Sequence, residues 1–182
     1  MARHVAFLRA INVGGHVVKM DRLRELFEAI GLAGVETFIA SGNVIFDSPA
    51  RNTAALEKKI AAHLESALGY EVVTFLRSVG ELAGVARYRP FPDAEVAARG
   101  ASLYVGFVPD ELSPAARRAL PSFRTKTEDF RANGRQVYWL CRPGASAAGF
   151  SLTRFEKALG VRATFRNINT VRRLVDRYAA GT

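Results

Sequence analysis

"VETFIASGNVIFDS" (residues 35–48) decides the fold. Both flanks are rich in β-branched and aromatic residues, and Ser41-Gly42 between them is turn chemistry, so the stretch reads as a hairpin. The segments on either side read as helices. "MDRLRELFEAIG" (20–31) carries Leu23, Leu26, Phe27 and Ile30 at helical spacing and ends on Gly31 as a C-cap. "TAALEKKIAAHLESALG" (53–69) carries Leu56, Ile60, Leu64 and Leu68 as its apolar stripe and ends on Gly69. A hairpin between two helices argues against a doubly wound parallel sheet. Further out, "HVAFLRAIN" (4–12) and "YEVVTFLR" (70–77) are strands. The order is βαββαβ, the ferredoxin-like plait, and "SVGELAGVARY" adds a short trailing helix.

The second half repeats this order without residue-level identity. "ASLYVGFV" is a strand, and "SPAARRAL" starts a helix with Ser113 as N-cap and Pro114 in first position. "TEDFRANGRQVYWLC" is a hairpin around Asn133-Gly134. "SLTRFEKALG" is a helix, "VRATFRN" a strand and "NTVRRLVDRYAAG" the last helix. The expectation is an α+β chain of two ferredoxin-like subdomains in tandem with antiparallel sheets. The boundaries are 1–88 for the first with its trailing helix, 89–100 for a Pro-, Asp- and Ala-rich linker, and 101–182 for the second with its C-terminal helix.

Composition bounds the function. With 182 residues and 49% hydrophobic content, the chain has material for one full core or two small ones. No apolar run approaches the ~20 residues that span a bilayer, and the N-terminal segment reads as a first strand, not a signal peptide. The one cysteine, Cys141, permits no intrachain disulfide, and a cytoplasmic location is expected. Cys141 itself reads as a buried strand residue. The formal charge is +9. Residues 1–91 hold 11 Lys/Arg against 9 Asp/Glu, and residues 92–182 hold 15 against 8, so the excess lies in the second half. A basic field favours phosphates and nucleic acid. The 21 Arg to 5 Lys and the abundant Ala equally fit the coding bias of a GC-rich genome.

In a βαββαβ plait the first and second strands run the same way, and the third lies beside the first. The loop after the first strand, "INVGG" (11–15), and the hairpin tip "SGN" (41–43) then emerge at one end. The first helix also starts there, with Lys19 at its entry and its free amides and positive dipole end pointing that way. Asn12, Gly14, Gly15, Lys19, Ser41, Gly42 and Asn43 thus become candidates for holding an anion. "VGGHVVKM" is neither a P-loop nor G-x-G-x-x-G. Turn chemistry needing positive φ is the competing account of Gly14-Gly15 and Ser41-Gly42. On the first strand, Val5, Phe7, Arg9 and Ile11 share one face, and Ala6, Leu8, Ala10 and Asn12 the other, which is the face expected under the helices.

"FLRAINVGGHVVKMDRLRELFEAIG", "VETFIASGNVIF" and "TFRNINTVRRL" together resemble the bacterial family catalogued as domain of unknown function 1697. The resemblance implies a pair of ferredoxin-like subdomains and brings no established activity. It makes "R-x-INVGG", "SGN" and "RN-x-NT" hallmark segments, the first adding Arg9 to the candidate residues and the last mapping to Arg166, Asn167, Asn169 and Thr170. Two positions depart from the pattern. The family tends to have Gly where this chain has Ala10, and Trp where it has Ile168.

In "FRNINT" (165–170), Asn169 or Thr170 is expected to cap the last helix, and Arg166 beside a helix start suits a phosphate or carboxylate. The segment is expected to pack against the "INVGG"/"SGN" edge. His4, His16 and His63 have no metal spacing, and Ser41 has no evident base, so no catalytic set, metal or cofactor follows from the sequence. Three readings stand. One is binding of a small phosphate-bearing or nucleotide-like ligand at the glycine/asparagine loops. The second is an RNA or single-strand module using the strand aromatics Tyr104 and Tyr138 of the basic second half. The third is a structural or protein-interaction role.

Overall fold

Alternating strand patterns and periodic helices give the expected order. The structure, a computed structural model, describes residues 1–12, 14–39, 42–145 and 149–179. The first plait consists of β1 (Ala2–Arg9), α1 (Met20–Glu28), β2 (Ala33–Thr37), β3 (Asn43–Ser48), α2 (Thr53–Leu68) and β4 (Val73–Ser78), followed by α3 (Val79–Arg87). A single-turn α4 (Asp93–Val96) lies in the segment read as a linker. The second plait consists of β5 (Ser102–Phe107), α5 (Pro114–Ala119), β6 (Glu128–Asn133), β7 (Gln136–Cys141), α6 (Leu152–Leu159) and β8 (Thr164–Asn167), followed by α7 (Ile168–Tyr178). The sheet orders are β2-β3-β1-β4 and β6-β7-β5-β8, every neighbouring pair antiparallel. This is the plait twice over. Among the described residues no helix is long and apolar enough to cross a membrane.

Contacts divide the chain into two compact units, Met1–Ala83 with Leu174–Thr182, and Gly84–Arg173. Both divisions fall inside helices, α3 and α7. In the first unit, Ala6 and Leu8 of β1 and Phe46 of β3 pack with Leu23 and Phe27 of α1 and with Leu56, Ile60 and Leu64 of α2. The helical stripes read from spacing face this core, with Ile30 and Leu68 at its partly buried edge, and each fully buried large side chain contributes ~1.5–3 kcal/mol. The opposite face of β1, with Val5 and Phe7, is also fully buried. In the second unit, Val137 and Trp139 of β7 pack with Ala116, Phe155 and Leu159.

Three expectations are corrected. The first strand ends at Arg9, not Asn12, because Ala10 takes a left-handed conformation, φ 63°. That turn breaks the alternation, and Ile11 joins the helix-side core instead of the Val5 face. β2 spans Ala33–Thr37 instead of starting at Val35, and the chain leaves the strand before Ile39, φ 54°. The last helix begins at Ile168, so neither Asn169 nor Thr170 caps it; Asn167 does, its Oδ1 accepting from Asn169 N at 2.9 Å.

Candidate functional site at the glycine loop

The register of β1 on β3 pairs Phe7 with Asn43, and Leu8 N donates to Gly42 O at 2.8 Å. The loop after β1 and the β2–β3 turn therefore share one end of the sheet, as the strand order requires. Gly42 sits at φ 74°, and a Cβ there would lie 2.9 Å from Ile11 Cγ2 and 3.1 Å from Leu8 Cβ. Only glycine lets the turn close on β1. Ser41 lies outside the described residues.

The loop from Ala10 to Lys19 is braced at several points. Asn12 Oδ1 accepts from Val18 N at 2.7 Å. Tyr70 donates its hydroxyl to Ile11 O at 2.8 Å, and the His16 ring stacks on the Tyr70 ring at 4.1 Å between centroids. Burial raises the Tyr70 phenol, so it stays a donor at neutral pH. Between these anchors Gly14 and Gly15 are exposed and left-handed, φ 63° and 84°, with open space where a side chain would stand. Lys19, also exposed, is the N-cap of α1 and gives no side-chain cap. α2, α5 and α6 instead begin at Asn52, Ser113 and Ser151, each of which accepts an amide of its own helix.

The candidates thus differ in role. Asn12, Gly14, Gly15 and Lys19 face outward. Asn43 is fully buried and donates from Nδ2 to Phe38 O at 3.0 Å, holding the hairpin from inside. Arg9 is half-buried and shares the Val5–Phe7 face by alternation. Tyr70 was missed by sequence reading, which made it the start of a strand. A signal existed: β4 lies beside β1, and Val73 pairs with Arg9, so residues just before β4 must approach the loop after β1.

Arg166, Asn167, Asn169 and Thr170 belong to the second unit. Arg166 donates to Thr164 Oγ1 at 2.8 Å and to Phe165 O at 2.9 Å. Burial pulls its guanidinium down to about 10, which leaves it charged at neutral pH. Ile168 is aliphatic and buried and offers no exposed surface for stacking. Of the second sheet's tyrosines, Tyr138 is fully buried with its hydroxyl on Val85 O, and Tyr104 is partly buried, packing on Trp139 against the helix-side core. Among the described residues no group of three or more His, Cys, Asp or Glu is arranged to hold a metal ion.

Comparison with known proteins places this geometry. The solved structure of a conserved bacterial protein, SP0830 from Streptococcus pneumoniae, superposes with a TM-score of 0.78 at 21% identity, covering 98% of this chain and 99% of that one. At that identity the likeness shows the fold. No curated protein matches the chain. The family model described as "Protein of unknown function (DUF1697)" matches residues 1–138, which include the glycine loop, the hairpin and Tyr70 but stop before "FRNINT". The chain belongs to the DUF1697 family.

Proposed function

We propose that the glycine-loop end of the first plait binds a small anionic, phosphate-bearing or nucleotide-like ligand. The observation that carries this reading is the start of α1: its first amides have no side-chain cap, beside two exposed left-handed glycines and the Lys19 ammonium. Backbone donors at a helix start suit phosphate oxygens, and a lysine adds a point charge. The brace of Asn12 and Tyr70 holds the loop in shape before any ligand arrives, which lowers the ordering cost of binding. Asn43 and Gly42 act as supports and do not touch the ligand. The chain would work in a reducing compartment such as the cytoplasm, its one thiol buried. The nucleic-acid alternative keeps the basic charge of the second half and the partly exposed Tyr104 in its favour.

The test is thermal unfolding in the presence of inorganic pyrophosphate and, separately, ATP. A ligand that binds only the folded state at a hundred times its Kd adds ~2.7 kcal/mol of stability. Lys19→Met leaves the fold intact, because Lys19 is exposed, and is expected to remove most of the shift. An equal shift in wild type and variant, or none in wild type with either compound, defeats the reading.

A further inference from the structure

At the opposite end of the first plait a cleft opens. β3 finishes at Ser48, which pairs with Ala2, so residues 49–52 lie at the start of β1, away from the glycine loop. The last turn of α1 arrives at the same end. Between it and the start of α2 lies a cleft of about 510 Å³, within the range of small-molecule sites. Its apolar surface comes from Ile30, Leu32, Pro49 and Leu56, of which Leu32 and Leu56 are buried core residues. Its charged lining is Arg51 and Lys59, both exposed, and no Asp or Glu lines it.

Among the described residues some cations are ion-paired and others, such as Lys58 and Arg118, are not. Arg22, Arg24, Arg117 and Arg142 are all ion-paired. Among the described residues, neither Arg51 nor Lys59 is. Lys59 Nζ donates to Ile30 O at 3.1 Å, which holds the ammonium against the cleft wall and leaves two of its three N–H groups for another acceptor. A hydrophilic anion such as phosphate would leave the apolar surface wet. A neutral apolar molecule would leave two cations without a counter-charge.

We infer that this cleft binds a small amphipathic carboxylate, its acid group on Arg51 and Lys59 and its hydrocarbon body over Leu32 and Leu56. The site shares no residue with the glycine loop and does not depend on the reading given there.

Fluorescence titration with 8-anilinonaphthalene-1-sulfonate, an anionic aromatic probe, tests it in the full-length chain. Saturable binding is expected, with displacement by decanoate at concentrations where decanol does not displace. Arg51→Gln and Lys59→Met should each weaken decanoate about tenfold, the scale of one charge-assisted hydrogen bond. Ala55→Phe, which fills the cleft from an exposed lining position without altering charge, should abolish displacement. Circular dichroism melting checks that each variant folds, and Lys19→Met should bind decanoate as wild type does. Decanol displacing as well as decanoate, wild-type affinity in Arg51→Gln and Lys59→Met, or unchanged binding in Ala55→Phe would each overturn the inference.

Discussion

Ala10 holds a backbone conformation that L-residues avoid, at a cost of ~1–2 kcal/mol. Glycine escapes that cost but adds ~0.4–1 kcal/mol of unfolded-chain entropy. Ala10→Gly should therefore stabilise the protein by ~0.5–1 kcal/mol, read as a rise in the midpoint of urea unfolding at unchanged slope. The sequence marked Ala10 as a departure but gave no φ, because a lone alanine between a strand and an Ile-Asn pair carries no turn signal. Cys141 is the opposite case, since its place in "QVYWLC" already indicated burial. Burial pushes its thiol up to about 11, so at pH 8 it should react with Ellman's reagent only after denaturation. Prompt reaction of the native protein would mean that the strand end opens.

Among elements, the loop after β1 depends on a residue from before β4. Tyr70→Phe keeps the ring under His16 and removes only the hydroxyl bond to Ile11 O. It should cost ~1 kcal/mol of stability. On the proposed function it should also weaken pyrophosphate binding more than stability, a split that parallel melting and titration would reveal. In the second plait Gly106 of β5 lies under the Phe165 ring of β8, where a Cβ would approach to 2.6 Å. The close approach comes from neighbouring strands far apart in sequence, so spacing alone did not disclose it. The order of elements was legible because periodicity and turn residues are local. The Tyr70 brace and the Gly106–Phe165 contact were not, because each joins segments that only the sheet order brings together.

For the whole molecule, the sequence suggested a division at 89–100, where composition changes. The compact units divide within α3 and α7. The end of α7 completes the first unit: Tyr178 donates to Glu36 Oε2 at 2.9 Å, Arg177 pairs with the same carboxylate, and Arg3 lies over the Tyr178 ring. No local pattern links Glu36 to a residue so distant in sequence. Burial first, then the bond to Glu36, raises the Tyr178 phenol to about 12. The neutral form is thus favoured in the folded state. Its contribution is complete below pH ~10, the unfolded value, and is lost as pH climbs from there to about 12. Over that window the melting temperature of wild type should fall more steeply than that of Tyr178→Phe. Matching slopes would show that the phenol does not sense folding.

A first unit assembled from two separate stretches of chain has a consequence for its birth. On the ribosome, residues 1–83 emerge early and can pair their strands, but the turns of α7 that they need are translated only after all of Gly84–Arg173. Domains usually fold in the order of synthesis. Here the later unit is contiguous and can mature at once, whereas the earlier one must wait, its β2 side uncovered at Phe38 until Tyr178 arrives.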